Sequence, residues 1–291
     1  MTPVSYSTRP NRLALGTRVD SGEQTDQRDG EQEVAASFVA ARRAARGLAE
    51  YPGKRPADLS SAYRIQAHAI TLDGRAVAGW KVGRINAPRD GELGTNRLAG
   101  PIFAELVIDA AEGASPAMPV FADGFAAAEA ELLLHIAPGL SGSHPRNDEE
   151  TMALIDKVRL GIEIASSPYP GINADGPLVT ASDFGNNHGL VLGATLGGWR
   201  GIELCSIPVT TTIDDETVGA ATAATMLDGP FGAVRFLIAN LAERGIDISG
   251  GTWVSTGAIT GVHPVRPGQR VAAIFGDLGQ VTCSIAAAKA A

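Results

Sequence analysis

Cysteine is scarce in this chain of 291 residues, which has only Cys205 and Cys283. The two are far apart in sequence and neither belongs to a C-x-x-C pair, so the pattern favours buried thiols over a disulfide framework. We therefore expect two buried thiols in a reducing compartment.

Basic runs and long apolar runs are also missing. The formal net charge is −8, and no cluster of Lys and Arg forms a surface for a polyanion, which excludes a nucleic-acid partner. No apolar stretch approaches the roughly 20 residues needed to cross a bilayer. The N-terminal residues mix arginines with acids around no apolar segment, unlike a signal or transit peptide. These absences predict a cytoplasmic protein with no membrane partner.

Several catalytic signatures do not occur either. The chain has no G-x-x-x-x-G-K-[ST] phosphate loop, no H-E-x-x-H zinc motif and no G-x-S-x-G elbow. "GATLGGWRG" lacks the strand-to-helix setting of a dinucleotide fingerprint. His144 and His188 fall in predicted loops, where they either approach a site or lie at the surface. No motif of these classes therefore carries the function.

The composition divides the chain into a polar start and a globular remainder. Residues 1–33 have few large apolar side chains and no periodicity, which predicts a flexible N-terminal arm. Residues 34–291 then form a single catalytic domain, with a helical part over 34–75 and a β-rich core over 76–291. The irregular order of elements favours an α+β fold over regular βαβ alternation.

Three segments have the period of a helix. "VAASFVAARRAARGLAE" begins at Val34 and predicts an amphipathic helix whose solvated face carries Arg42, Arg43 and Arg46. Residues 59–72 repeat the period, with Ser60 or Ser61 as N-cap and Gly74 after the end. "GPFGAVRFLIANLAERG" has Pro230 in its first turn and Gly245 after its last. The rest of the chain alternates as short strands.

Two glutamates stand one residue apart in the apolar run "AAAEAELLLHIA", at positions 129 and 131. On a strand, Glu129 and Glu131 share a face and can bind one partner. On a helix they lie roughly 200° apart and cannot cooperate. Ala, Glu and Leu favour helices, and Glu131 with His135 has the i, i+4 spacing. These residues alone leave both alternatives open.

A third glutamate lies in "VRLGIEIASS", whose alternation predicts a strand with Glu163 opposite its apolar face. Three carboxylates on strands are suited to a hard cation such as Mg²⁺ or Mn²⁺. In the alternative, Glu163 pairs with Arg159 or lies on a solvated edge.

Lys81 lies in the predicted strand "VAGWKVG" between Gly79 and Gly83. The glycines leave its face of the strand without other side chains, so a ligand has room to approach. A partly desolvated lysine can transfer protons. The alternative is an ordinary surface lysine.

The order and spacing of five segments resemble those of the fumarylacetoacetate hydrolase superfamily. The similarity is to its 2-keto-4-pentenoate (2-hydroxypenta-2,4-dienoate) hydratase and 4-oxalocrotonate decarboxylase branch, and it runs from about Val34 to the C-terminus. The segments are "GWKVGRI", "AAAEAELLLHI", "VRLGIEIASS", "ASDFGNNHGLVLG" and "STGAITGVHPVRPGQRVAAIFGDLGQVTCSI".

This resemblance implies a fold, a site and a partner. The fold is a mixed β-roll core with an N-terminal helical part and peripheral helices, assembled into homo-oligomers. The ligand is a small 2-oxo or 2-hydroxydienoic acid, bound with Mg²⁺ or Mn²⁺. The implied residues are the metal ligands Glu129, Glu131 and Glu163, the catalytic Lys81, and the substrate-binding Asn186, Asn187, Thr256 and Thr260.

Two departures from the family pattern affect the expected substrate. The aspartate that hydratases of this branch place shortly before Phe103 is missing from "TNRLAGPIF". The family's D-N-A-S-S stretch is here Asp183-Phe184-Gly185-Asn186-Asn187. We therefore expect the reaction class to be preserved better than the substrate.

The resemblance implies a divalent-metal-dependent hydratase that adds water to 2-hydroxypenta-2,4-dienoate or a similar 2-oxo acid, as in the meta-cleavage catabolism of aromatics. Within the superfamily, the alternatives are a 2-oxo-acid decarboxylase of the 4-oxalocrotonate type and an acylpyruvate C–C hydrolase. A further alternative is a catalytically silent protein that binds a carboxylic acid.

Overall fold

The computed structural model describes residues 21–110, 113–140, 142 and 144–291, without the side chains of residues 21–27. The helices are α1 (Ser21–Arg43), α2 (Leu59–Asp73), α3 (Arg89–Leu93), α4 (Asp148–Ala153), α5 (Pro177–Ser182) and α6 (Gly229–Glu243). The strands are β1 (Val77–Arg84), β2 (Arg97–Phe103), β3 (Val107–Asp109), β4 (Ala117–Val120), β5 (Phe125–Ile136), β6 (Ile155–Ser167), β7 (Asn187–Thr195), β8 (Pro208–Ile213), β9 (Glu216–Thr222), β10 (Thr252–Ser255), β11 (His263–Pro264), β12 (Arg270–Phe275) and β13 (Gln280–Ala287).

The strands form two mixed sheets. The larger has the order β2-β1-β10-β5-β6-β7-β3, with β11 added beside β5. The smaller has the order β4-β13-β12-β8-β9. Side chains from both sheets and from α6 share the largest apolar core. The predicted α+β fold, with a mixed β core and peripheral helices, is confirmed.

The segment that carries the two glutamates is a strand. β5 pairs with β6 over its whole length and also with β10. Because neighbouring strands cover it on both sides and layers of side chains cover both faces, nearly all of its residues are buried. The helical alternative is therefore wrong. His135 contacts Asp156 on β6 rather than Glu131.

The first helix begins earlier than its periodicity predicted. α1 starts at Ser21 instead of Val34, so residues 21–33 are helical rather than part of a flexible arm. Glu31 is buried and pairs with Arg64 of α2 at 2.6 Å. The remainder of the predicted arm, residues 1–20, lies outside the described residues.

The other two predicted helices end close to where their caps placed them. Gly74 closes α2 in the left-handed conformation with φ 76°. Pro230 lies in the first turn of α6 and Gly245 follows its end, as expected. The N-cap of α2 is Asp58 rather than a serine, since its carboxylate accepts from Ser61 N. Among the described residues, no helix combines the length and apolarity that crossing a bilayer requires.

Arg42 corrects the prediction of a solvated arginine face on α1. Arg43 and Arg46 are exposed, whereas Arg42 is buried and binds Asp183 through Nε at 2.7 Å and Nη2 at 2.8 Å. Arg42 follows Val34 and Phe38 at intervals of four residues, so it belongs to the buried stripe of the helix. A buried arginine requires a paired anion, and Asp183 provides one.

Both cysteines are free thiols. Cys283 is buried in the core, as predicted, whereas Cys205 is only partly buried. Burial raises the pKa of Cys283 to about 12, so its thiol stays protonated and unreactive.

Candidate active site

Three buried carboxylates converge where β5 and β6 pair. Glu129 lies directly opposite Glu163, and Glu131 lies opposite Gly161. Directly opposed residues of an antiparallel pair share a face, and so do residues two apart on one strand. One oxygen from each glutamate consequently lies within 4.8 Å of the others. The exposed fractions are 5% for Glu129 and 0% for Glu131 and Glu163, which shows that water does not compensate the charges.

The alternative partner of Glu163 is engaged elsewhere. Arg159 donates from Nη1 to Asp109 at 2.9 Å and from Nε to the carbonyl of Gly193 at 2.6 Å. Glu163 is neither at a solvated edge nor paired with Arg159, so both alternatives for it are wrong.

The trio fits a divalent cation. Oε2 of Glu131 accepts from Ser255 Oγ and from Gly257 N, while its Oε1 has no hydrogen-bond partner among the described residues. A buried carboxylate oxygen without a partner is costly unless a cation coordinates it. The donors are all carboxylate oxygens, which suit hard ions such as Mg²⁺, Mn²⁺ or Ca²⁺. The three glutamates could therefore hold a divalent cation.

Lys81 lies beside the carboxylates and is buried. Its Nζ is 3.2 Å from Oε1 of Glu163 and donates to Oδ1 of Asn186 at 3.3 Å. β1 runs parallel to β10, and the register places Lys81 next to Ser255, whose hydroxyl already contacts Glu131. The surface alternative for Lys81 is therefore wrong.

The two glycines around Lys81 have different functions. A Cβ on Gly83 would lie 3.3 Å from the side chain of Leu98, and Gly83 lines the cleft beside Lys81. A Cβ on Gly79 would lie 2.9 Å from the carbonyl oxygen of Trp253. Gly79 thus permits close approach of β10 and does not line the cleft, which corrects the prediction that both glycines make room for a ligand.

The charges of the site shift each other's ionisation. The pKa of Glu129 is raised to about 7. Burial is the main cause; the charge of Lys81 lowers this pKa and the charge of Glu163 raises it. Burial also raises the pKa of Glu131 well above its usual range, and the other two carboxylates add to the shift. Burial lowers the pKa of Lys81, but the carboxylates, Glu163 foremost, more than reverse that effect. Lys81 is therefore an ammonium at neutral pH.

Asn186 and Asn187 contact different members of the site. Asn186 accepts from Lys81 and donates to Oδ1 of Asn173 at 3.0 Å, with its backbone in the left-handed region at φ 60°. Asn187 donates to Oε1 of Glu163 at 2.9 Å. Asn186 lines the cleft, whereas Asn187 contacts the Glu163 carboxylate and is not part of the lining. This position makes Asn187 a positioning residue rather than a substrate contact.

The buried pair Arg42–Asp183 holds this asparagine segment in place. Besides Arg42, the carboxylate of Asp183 accepts from Ser167 Oγ at 2.6 Å. The Arg42 guanidinium lies 4.9 Å from the ring centre of Phe184. The backbone of β2 packs closely against the same segment at Gly100, where a Cβ would lie 2.1 Å from the carbonyl oxygen of Phe184. These contacts stabilise the unusual φ of 55° at Phe184 as well as that of Asn186.

A cleft of about 790 Å³ lies beside the carboxylates, and Lys81 and Glu129 are part of its lining. Thr256 and Thr260 also line it, although Thr256 Oγ1 donates to the carbonyl of Leu132 at 2.7 Å. The hydroxyl of Thr260 lies 2.7 Å from that of Thr211 and 3.0 Å from Nε2 of His263. Of the residues expected to bind substrate, Asn186, Thr256 and Thr260 lie in the cleft.

Comparisons with known proteins were made by family model, by sequence and by structure. No family model matches the chain. It is 25% identical to the 2-keto-4-pentenoate hydratase of Paraburkholderia xenovorans (strain LB400) over 255 residues, which are 86% of this chain and 93% of that protein. It is 29% identical to the 4-oxalocrotonate decarboxylase of Pseudomonas putida over 133 residues, which are 46% of this chain and half of that protein.

The 4-oxalocrotonate decarboxylase of Pseudomonas putida G7, in a complex with magnesium and adipate, has the same fold. The TM-score is 0.73 at 21% identity, and the superposition covers 92% of this chain and all of the decarboxylase. In sequence and in fold the chain is similar to the hydratase and decarboxylase branch of the fumarylacetoacetate hydrolase superfamily. The resemblance stated from the sequence motifs is confirmed.

The structure shows where the two departures from the superfamily pattern lie relative to the cleft. β2, which contains the stretch before Phe103, is buried and contains no acid. Asp183, the first residue of the altered stretch, binds Arg42 and does not line the cleft. Among the described residues, Glu129 is the only carboxylate that lines the cleft.

Three side chains near the site were missed or misplaced from the sequence. Ser255 was missed, although it lies two residues before Gly257 at the end of a predicted strand. Arg42 was missed, although its four-residue spacing from Phe38 was a usable signal. His188 lies in strand β7 rather than a loop, and its ring centre is 4.4 Å from that of Phe121 with the two planes tilted by 40°. Burial, then Arg42 and Arg75, lowers the pKa of His188 well below its usual range, so it is neutral.

Proposed function

We propose that this protein is a divalent-metal-dependent lyase of small 2-oxo or 2-hydroxydienoic acids, and specifically a hydratase that adds water to 2-hydroxypenta-2,4-dienoate or a similar acid. One observation carries the proposal: three buried carboxylates converge within 4.8 Å beside a buried lysine, next to a cleft that Lys81 and Glu129 line. The similarity to a hydratase over 86% of the chain supports it.

The glutamates would hold the cation and their neighbours would orient them. Mg²⁺ or Mn²⁺ held there would supply a Lewis acid that stabilises the negative charge developing on the substrate. Ser255 and the backbone amide of Gly257 fix one oxygen of Glu131 and leave the other free for coordination. Asn187 donates to Oε1 of Glu163, whose Oε2 has only a long contact of 3.5 Å with the Ser255 hydroxyl. This support keeps the ligand oxygens in place before the substrate arrives.

Lys81 is the group placed to move protons. In the hydratase reaction the dienol first ketonises: the 2-hydroxyl loses its proton and C5 gains one. Water then adds across the C3–C4 double bond, with its oxygen bonding to C4 and a proton to C3. Lys81 is an ammonium that donates to Glu163 and Asn186, so it can deliver a proton and accept it again.

Decarboxylation is the second candidate, and the 29% identity to 4-oxalocrotonate decarboxylase favours it. In this reaction the bond to the departing carboxylate breaks, and its electron pair passes into the same enolate. A proton from Lys81 then completes the product. The two reactions need the same charge stabilisation, so the ligand set serves either.

The experiment uses the purified full chain loaded with Mg²⁺ or Mn²⁺. Loss of the ultraviolet absorbance of 2-hydroxypenta-2,4-dienoate with formation of 4-hydroxy-2-oxopentanoate supports the hydratase. Release of CO₂ from 4-oxalocrotonate, without turnover of the dienoate, supports the decarboxylase instead. Metal binding without turnover of either acid contradicts both and leaves a silent acid-binding protein.

We also propose, from the resemblance, that residues 34–291 form one catalytic domain and that the protein assembles into homo-oligomers. Light scattering on the purified chain measures its mass in solution. A monomer at micromolar concentration would contradict the assembly.

A further inference from the structure

A second cavity, of about 370 Å³, lies between α2, β1 and the segment that joins α6 to β10. Its volume is within the range of small-molecule sites. Trp80 of β1 lines this cavity, whereas the next residue, Lys81, lines the cleft. Consecutive residues of a strand point to opposite faces, so the two spaces lie on opposite sides of β1. No described residue lines both of them.

The cavity contains a cation that is not paired with an anion. Among the described residues of its lining, Arg244 is the one basic side chain and Asp247 the one acid. Arg244 donates from Nη2 to Oε1 of Gln66 at 2.7 Å and from Nη1 to Oδ1 of Asn240 at 3.2 Å, and both acceptors are neutral amides. Asp247 instead accepts from the backbone and hydroxyl of Ser249. No carboxylate of the described chain forms an ion pair with Arg244.

The surroundings of Arg244 remove water from its guanidinium without supplying a full negative charge. Its central carbon lies 4.2 Å from the ring centre of Tyr63 and 5.2 Å from that of Trp80. Burial lowers the pKa of Arg244 to about 10. Arg244 is the C-cap of α6, so the negative end of the helix dipole compensates part of its charge. A bound anion would compensate the rest.

The guanidinium is held in place before any ligand arrives. Gln66 is fully buried, and its Nε2 donates to the carbonyls of Ala99 at 3.0 Å and Ala181 at 2.7 Å. Because both amide hydrogens are used in this way, Oε1 of Gln66 must face Arg244. A guanidinium has five N–H groups, and within the described chain three of those of Arg244 have no acceptor. A ligand that binds them loses little free energy to ordering the side chain.

The remaining lining indicates what else the ligand contains. It is mainly apolar and includes Ile70, Val77, Trp80, Ile246 and Ile248. We propose that this cavity is a second binding site, for a small carboxylic acid with an apolar body: the carboxylate binds Arg244 and the hydrocarbon packs against the apolar wall. A guanidinium binds a carboxylate through two parallel hydrogen bonds, which gives the site its preference for this group. The acid is a ligand distinct from the substrate of the cleft.

The test compares hexanoate with hexanamide, which has the same chain length and no charge. Their affinities for the Mg²⁺-loaded full chain are measured by titration calorimetry. Hexanoate is expected to bind at least about tenfold more tightly than hexanamide, because hydrogen bonds to a charged group are worth that much or more. Arg244→Gln should remove the difference between the two ligands.

Two variants at Ala67 test the site without removing the contacts of Arg244. Ala67 is exposed on α2 and lines the cavity, and both Glu and Gln are good helix formers. Ala67→Glu places a carboxylate in the cavity, where it competes for Arg244, and should weaken hexanoate binding by at least about tenfold. Ala67→Gln has the same size without the charge and should keep most of the affinity.

Several results would overturn the proposal. Hexanoate binding that Ala67→Glu leaves intact would place the acid elsewhere, such as at the cation of the glutamate site. Equal losses in Ala67→Glu and Ala67→Gln would show that size rather than charge excludes the acid. Equal affinities for hexanoate and hexanamide, or no binding of hexanoate to the wild-type chain, would contradict the role of Arg244. The proposed function stands in each case, because none of the three glutamates lines this cavity.

Discussion

The ammonium of Lys81 lies 3.2 Å from Oε1 of Glu163, and Asn187 donates to that same oxygen at 2.9 Å. One carboxylate oxygen thus connects the proton-carrying lysine with the glutamate trio. The other oxygen of Glu163 lies 3.5 Å from the Ser255 hydroxyl. Changes at this carboxylate should therefore affect cation binding and the chemistry together.

Glu163→Gln tests the ligand assignment. The amide removes one negative charge from the trio and has a nitrogen that cannot coordinate. We expect Mg²⁺ affinity to fall by more than about 100-fold, since even residues behind the ligands are worth 10- to 100-fold. Activity should be lost while the circular dichroism spectrum is retained. Glu105→Gln, an exposed acid away from the cleft, is the matched control. Unchanged calorimetric affinity in Glu163→Gln would remove it from the metal site.

Lys81→Ala separates cation binding from proton transfer. We expect the rate to fall by about 10²- to 10⁴-fold, the usual contribution of a positioned acid or base. Mg²⁺ affinity should be kept or increased, because a competing positive charge has been removed from the carboxylates. Steady-state rates and calorimetry on the same preparation give both quantities. A variant with the wild-type rate would show that Lys81 takes no part in the reaction.

The stability of the metal-free protein should depend on pH in a defined direction. Burial raises the pKa of Glu129 to about 7 from the 4.5 expected in an unfolded chain. A raised carboxyl pKa means that the folded state keeps a proton that the unfolded state has released. Stability therefore decreases as the pH rises from about 4.5 to about 7. Lys81 adds nothing in this window, because it is protonated in both states.

A divalent cation should offset this loss, because it takes the place of the proton among the carboxylates. We expect the melting temperature to rise more on addition of MgCl₂ at pH 8 than at pH 5.5. Differential scanning fluorimetry at the two pH values measures the gain. Glu129→Gln should flatten the pH dependence of the metal-free protein. An equal gain at both pH values would contradict the coupling between proton and cation.

Arg42→Leu tests the buried pair beneath the asparagine segment. The substitution leaves the Asp183 carboxylate buried without its guanidinium, and its exposed fraction is 0%. Breaking a buried pair in this way costs about 3–5 kcal/mol of unfolding free energy. Urea denaturation measures the loss. Arg46 lies three residues beyond the end of α1 and is exposed, so Arg46→Leu should change stability by no more than about 0.5 kcal/mol. Similar losses of unfolding free energy in both variants would show that the contact between Arg42 and Asp183 does not stabilise the fold.

Signals from neighbouring residues were sufficient to predict some helices and strands and insufficient for others. α2 and α6 were predictable because apolar spacing, Gly74, Pro230 and Gly245 all agree. Residues 126–137 were not, since Ala, Glu and Leu favour a helix and only pairing with β6 and β10 makes the segment a strand. Arg42 was mistaken for a surface residue because its partner, Asp183, lies 141 positions away.

The amino-acid order by itself determined that Glu129 and Glu131 stand two positions apart in an apolar run, and that Glu163 lies in an alternating apolar segment. The tertiary structure decided that residues 125–136 form a strand, that Glu163 lies opposite Glu129, and that Lys81 lies 3.2 Å from Glu163. The reason is physical: side-chain direction within a strand follows from neighbouring residues, whereas the register between strands depends on the packing of the whole core.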